Sequence, residues 1–276
     1  SQVVQEAKAL DKAMTNLRIV TNDTAENTKT LMNSYAQLGK ELGATTLEIT
    51  KSATEWLRQG YETVDVTKLI TASMYLSKLG MIDSATATKD LTSAMKGFKM
   101  EASEAMSIVD KLTAIDLKAA TSAGEIAEGL AQFANLATLS GVNIDQAAAY
   151  VATIADVTQN SGSQVGTSMK TIISRYGNVK AGAYNKLNID DESAETSENL
   201  NDVERVLHKL NIDIRDSKLN FKDFDVVLDE IAEKWGALDN VSKKAIANAF
   251  AGIRQQEAFV TLMENYDKYE NLLETS

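Results

Sequence analysis

The chain has 276 residues, 44% of them hydrophobic, with a formal net charge of −11 and a pI near 4.7, so it can bury a core of one large or two ordinary domains. The acidic balance argues against a phosphate-backbone binder, which gathers Lys and Arg on one face, and against adhesion to an anionic membrane surface. With no Cys and one His, His208, the chain has no disulfide, thiol nucleophile or thiolate metal site, and almost nothing from which to build a His-based zinc site.

Proline is absent, where roughly fourteen would be expected at a frequency near 5%. Proline breaks helix interiors, so its absence from a chain rich in Ala, Glu, Lys, Leu and Thr predicts an all-α protein. The first helix carries Val3, Ala7, Leu10, Met14 and Leu17 in steps of 4, 3, 4 and 3, a heptad seam. Further helices are predicted at 24–42, 46–59, 65–79, 84–96, 102–115, 122–140, 144–158 and 163–176. Thr45-Thr-Leu-Glu48 and Ser122-Ala-Gly-Glu125 read as capping boxes, and Asn143-Ile-Asp-Gln146 as a looser one. Gly43, Gly60, Gly80, Gly97, Gly141 and Gly177 stand where left-handed C-caps are expected. Segments of about fifteen residues make a compact multi-helix bundle of short Gly-capped helices rather than one rod.

LSKLGMIDSATA (Leu76–Ala87) echoes LATLSGVNIDQAAA (Leu136–Ala149), and the following helices carry Thr92–Lys96 and Gly166–Lys170, as in a two-fold internal repeat. After Gly177 comes an acidic, apolar-poor stretch, LNIDDESAETSENLNDVE (Leu187–Glu204), then a short helix at 201–210. Residues 211–222 alternate at Ile212, Ile214, Leu219 and Phe221 around Asp216-Ser-Lys218, which predicts a small β-hairpin packed on a helix. KLNID recurs at Lys186–Asp190 and Lys209–Asp213, which leaves a third strand open. Phe224–Trp235 resumes helix. The last helix repeats a seam at Phe259, Leu262, Tyr266, Tyr269 and Leu273, so both ends read as coiled-coil-like. The organisation expected is 1–42, N-terminal helices; 43–182, helical bundle with the repeat; and 183–276, acidic loop, hairpin and C-terminal helices. Ile144–Val157, with two Asp, is too short to span a bilayer, and Ser1–Leu10 is not a signal peptide. A start without Met and a stop inside NYDKYENLLETS suggest a fragment of a longer chain.

GSQVGTSMKTIISRYG (Gly162–Gly177) holds pieces of two catalytic signatures. A phosphate loop needs Gly-x-x-x-x-Gly-Lys-Ser/Thr after a strand. Here Gly166 comes one residue early, Thr167 stands in place of Lys, and no strand precedes. Ser93-Ala-Met-Lys96 has Ser-x-x-Lys spacing, echoed by Thr167–Lys170, but the chain lacks the Ser-Asp-Asn and Lys-Thr-Gly that accompany it in hydrolases. The structural reading is a helix capped by Ser161 or Ser163, with Met95 and Met169 filling core gaps. His208 lies on a helix without triad context. Asp190, Asp191, Glu192, Glu195 and Glu198 lack the alternation and central Gly of a calcium loop. Trp56 and Trp235 read as core anchors. No catalytic, cofactor-binding or metal-binding residue is assigned, and no cofactor is expected.

Three long stretches carry a family resemblance. They are LGKELGATTLEITKSATEWLRQGY (Leu38–Tyr61), Ser122–Gly182 from SAGEIAEGLAQF to YGNVKAG, and Leu200–Lys268 from LNDVERVLHKL to LMENYDK. Together and in this order they resemble the segment shared by tail tape measure proteins of long-tailed phages and prophages. The acidic loop around Asp190–Asn199 is longer or more divergent than that pattern. The resemblance implies a non-enzymatic structural protein of the virion tail lumen, present in the bacterial host cytoplasm during assembly. It would act as a length template for the tail tube and leave the tail at infection. Implied partners are the tail tube, tail tip and tail assembly chaperone; separately, the two end seams predict self-association through the end helices. No specific nucleic acid is implied, and membrane contact is confined to ejection and does not involve this segment. The alternatives are a helical coiled-coil binding module of a secreted or receptor-like protein, and a hydrolase built on Ser93 and Lys96.

Overall fold

Helix caps divide the chain. In a computed structural model, which describes residues 1–178, 201–217 and 220–276, the helices run α1 (Gln2–Thr21), α2 (Ala25–Leu42), α3 (Thr46–Arg58), α4 (Thr63–Leu79) and α5 (Ser84–Gly97). A 3₁₀ turn (Ala102–Glu104) then leads into α6 (Ala105–Asp116), α7 (Ala123–Leu139), α8 (Ile144–Thr158) and α9 (Gly162–Tyr176). After α10 (Asp202–His208) come the strands β1 (Arg215–Ser217) and β2 (Asn220–Phe221), then α11 (Phe224–Trp235), α12 (Asn240–Glu264) and α13 (Tyr266–Thr275). The protein is 79% helical, an α-bundle with one small antiparallel hairpin, as the sequence predicts.

Local chemistry explains the boundaries. Thr45 and Asn143 form full capping boxes with Glu48 and Gln146. Ser161/Gln164 and Asn201/Glu204 form two more, satisfying the orphan amides of α9 and α10. Ser122 forms only half a box: its hydroxyl accepts from Glu125 N at 3.1 Å, but the Glu125 carboxylate reaches across to accept from Gly162 N. Gly43, Gly60 and Gly141 take the left-handed conformation expected of them. Gly80, Gly97 and Gly177 do not; after α4 and α5 the left-handed residues are Met81 and Lys99. Gly80 and Gly97 are close-approach glycines instead. A Cβ on Gly80 would lie 2.7 Å from Gly124 N, and one on Gly97 2.3 Å from Ala134 Cβ. In the suggested repeat, both inter-helix turns end on an N-cap that accepts from the amide three residues on, Asp83 from Thr86 and Asn143 from Gln146.

The core is one hydrophobic cluster reaching from Leu17 to Leu272. At its centre α8 is buried from Ala147 to Ala155 without a break, enclosed by α7, α9, α12, α13 and α6. That accounts for its nearly all-round apolar sequence. No described helix is long and apolar enough to cross a membrane.

The two ends differ from the coiled-coil expectation. Along α1 only the second half of the seam is covered: Leu17 is buried, whereas Val3 is 74% exposed. At the C-terminus the seam breaks at Asn265 into α12 and α13, and Phe259, Leu262, Tyr266 and Tyr269 are buried inside the bundle. The reason is aromatic. Tyr269 stacks on Tyr150 of α8 with centroids 4.6 Å apart, and both hydroxyls donate to Asp225 of α11, at 2.5 Å for Tyr269. Helix α12 itself breaks at Gly252 (φ 68), where a side chain would meet the Arg175 guanidinium.

The hairpin is shorter than 211–222, and Asp216 and Ser217 belong to β1 rather than to its turn. Ile212 and Ile214 are buried, and the pair seats on the end of α9 as expected of a marginal hairpin. There the Tyr176 hydroxyl donates to Lys222 O, and its ring lies 5.8 Å from Phe221. Lys209–Asp213 is not a strand. Lys186–Asp190 and the acidic residues from Asp190 to Glu198 lie outside the described residues, as does Leu219.

Candidate functional site

The Gly162–Gly177 stretch is answered by its neighbour α7. Gly162 and Gly166, one helical turn apart, face Glu125 and Gly129. A Cβ would lie 1.8 Å from Glu125 O at the first and 2.6 Å from Gly129 O at the second. Val151 closes in on Gly129 from α8, 2.7 Å from where its Cβ would be. The Glu125 carboxylate caps the amide of Gly162, so one anion serves the N-terminal turns of two adjacent helices. This is a seam of small residues holding α7, α8 and α9 together, not a phosphate cradle. Met95 and Met169 are fully buried.

A groove of about 1260 Å³ opens between α1, α3, α5 and α7, with one contribution from α9. It gathers the residues of the Ser-x-x-Lys signature and part of its echo: Ser93, Lys96 and Lys170 all line it. Thr167 does not; its hydroxyl returns to Ser163 O at 3.0 Å. Ser93 is half-buried, and the Lys96 ammonium sits 4.8 Å from the centre of the Tyr61 ring. No hydrogen bond joins Ser93 to Lys96 among the described residues.

The other candidates are scattered. His208 is exposed, 3.6 Å from Asp213. Trp56 is buried and donates to Ser73 Oγ at 3.1 Å, while Trp235 donates to Glu264 at 3.1 Å under Lys243. Among the described residues no group of acidic, His or Cys side chains could hold a metal ion.

One polar group was not foreseen. Asp90 of α5 is 7% exposed, and its Oδ2 has no hydrogen-bond partner among the described residues. Burial, then the nearby Glu128 carboxylate, push its pKa up to about 6 against the pull of Lys89. The signal was legible: Ala87, Asp90, Ala94 and Gly97 form one helical row, a carboxylate on a face otherwise made for packing.

The fold is a helical bundle with a lysine-lined groove. The phage-related minor tail protein family matches residues 33–252, about four-fifths of the 276. The chain belongs to that family and is a phage tail component. No solved structure matches it.

Proposed function

We propose that this chain is the helical module of a tail tape measure protein, part of the template that sets tail-tube length and fills the tail lumen until ejection. The observation that carries the reading is the family match over residues 33–252 in a proline-free chain that is 79% helical. A ruler converts residue count into distance, and helix does so at about 1.5 Å per residue. Counting requires the bundle to open into end-to-end helix inside the tube, and the local N-caps travel with each helix when it does. The module is non-enzymatic. Its partners are the tail tube, tail tip and assembly chaperone, and its exposed Val3, Val4 and Ala7 stripe on α1 supports pairing with another copy. Residence is the host cytoplasm during assembly and then the virion.

The test is tail length after in-frame deletion of Gly124–Ser163 in the parent phage. Forty residues of helix span about 60 Å, so tails shorter by about that amount are expected. Infectious particles with an unchanged tail-length distribution would overturn the length-setting role.

A further inference from the structure

The groove between α1, α3, α5 and α7 carries an inference that does not depend on the ruler reading. Six cations line it, Lys12, Lys51, Arg58, Lys89, Lys96 and Lys170, drawn from four helices of a chain whose net charge is −11. Three acids line it as well, each held by a local partner. Glu48 accepts from its own N-cap amide, Thr45 N, at 2.7 Å. Asp83 caps α5 through Thr86 N at 2.8 Å and Thr86 Oγ1 at 2.9 Å. Glu55 holds Arg58 at 3.6 Å and Gln59 at 2.9 Å. Lys12, Lys51, Lys89 and Lys170 make no ion pair among the described residues. Six cations against three carboxylates leave a net positive groove on an acidic protein.

Between the lysines the groove is floored by buried small residues, among them Ser52, Thr88, Thr92 and Ala134. Such a floor admits the close approach of another backbone. Its volume of about 1260 Å³ exceeds the range of roughly 300–1,000 Å³ usual for small-molecule sites. Along α5 it runs from Asp83 to Gly97, about 21 Å of helix rise, and an α-helix with side chains is about 10–12 Å across.

We propose that this groove binds an acidic amphipathic helix of a partner protein, with its small apolar face on the floor and its carboxylates reaching the lysines on the rims. Helix-in-groove recognition reads i, i+3, i+4 and i+7 anchors, and four helical turns fit the length available. A single-stranded nucleic acid is the lesser fit. Its bases need exposed aromatic platforms, whereas Phe133, the aromatic residue of the lining, is buried.

The test uses the intact chain and fluorescence anisotropy with three probes: an 18-residue peptide with Leu and Ala on one helical face and Glu and Asp on the other, a scrambled peptide of the same composition, and a 20-nucleotide oligothymidylate. The amphipathic peptide is expected to bind saturably and more weakly as salt rises. Lys51→Glu with Lys89→Glu should weaken it about tenfold or more, since groove charges act together, while Lys29→Glu on the exposed face of α2 should leave it unchanged. A peptide with its carboxylates exchanged for lysines should recover binding to the charge-reversed chain, which separates lost recognition from lost folding. The proposal fails if the scrambled peptide binds as well, or if the Lys51 and Lys89 reversals leave affinity unchanged. It fails too if oligothymidylate binds more tightly with the same lysine dependence. Sedimentation showing that the same lysines drive self-association without any peptide would assign the groove to a second copy of the chain and overturn the proposal.

Discussion

Gly166→Ala is a substitution whose sign depends on the packing. In a free helix it would stabilise, since alanine in a helix interior is favoured over glycine by about 1 kcal/mol. In the bundle the new Cβ would sit 2.6 Å from Gly129 O and 2.8 Å from Gln132 Cβ, where ordinary contact begins at 3.4 Å. Gly129 O is backbone, so α9 or α7 must move by several tenths of an ångström. Both are locked, α7 by Val151 against Gly129 and α9 by the Gly162 approach to Glu125 O. Overpacking of this kind costs about 1–3 kcal/mol beyond the propensity gain. The expected net loss is about 2 kcal/mol, or roughly 4–8 °C in Tm for a chain of this size. Gly236→Ala is the matched control. Gly236 has φ −63 and nothing within 4 Å of an added Cβ, so a gain of about 0.4–1 kcal/mol is expected. The assay is urea and thermal unfolding followed by circular dichroism. If Gly166→Ala melts at or above the parent, the close approach of α7 and α9 is not what holds the centre of the bundle.

Asp90 gives a pH prediction. Its folded pKa, about 6, lies above the ordinary carboxylate value of 3.8, so the native state holds the proton more tightly than the unfolded chain. Its contribution is favourable at low pH and is lost as pH rises from about 4 through about 6. Asp90→Asn should flatten that slope and raise stability at pH 7 by on the order of 1 kcal/mol, read by denaturant titration at several pH values. Tyr269→Phe removes one of two hydroxyl donors to Asp225 and should cost about 1–2 kcal/mol, checked by the urea midpoint at constant m-value. Arg215→Met should cost about 3 kcal/mol or more, because Glu204, 7% exposed, loses its bidentate partner at 2.6 and 2.7 Å and stays buried with its charge. Adding Glu204→Gln should recover part of that loss, and a double-mutant cycle measures how much.

What the sequence disclosed follows the range of the forces involved. Caps act over three or four residues, so Thr45 and Asn143 could be placed from local pattern, and most helices lie within about two residues of their expected bounds. The Ser122–Glu125 box is the instructive exception. The motif is intact, yet Glu125 answers Gly162, 37 residues away, a tertiary choice that no local pattern contains. Glycine was ambiguous for the same reason: Gly43 and Gly80 both follow a helix, but one satisfies a backbone dihedral and the other makes room for Gly124. The C-terminal heptad shows an apolar stripe, and nothing in it says whether the stripe meets another chain, as a coiled coil would, or Tyr150 of its own. The lysine groove is not legible in the sequence because its cations come from four helices far apart in the chain, and local pattern singles out only Ser93, Lys96 and Lys170, as pieces of a Ser-x-x-Lys signature.

The compact bundle sharpens the proposed ruler. At about 1.5 Å per residue the 276 residues drawn out as helix would reach about 410 Å. Folded, a chain of this length has a radius of gyration near 19 Å and a diameter of roughly 50 Å. The two states differ about eightfold in the tube length they could specify, so the deletion of Gly124–Ser163 separates them without ambiguity: about 60 Å for the open state, close to nothing for the folded one. The same contrast assigns a role to the small-residue seam. Gly162, Gly166 and Gly129 contribute nothing to an extended helix except the cost of glycine, about 1 kcal/mol each. They stabilise only the folded state, where α7, α8 and α9 close to backbone contact. On the proposed ruler reading, the module carries its helix-forming information locally, in caps, and its compacting information in a seam that opening releases. Gly166→Ala should then shift the balance toward the open form, lowering the melting temperature of the bundle while leaving the length of assembled tails unchanged.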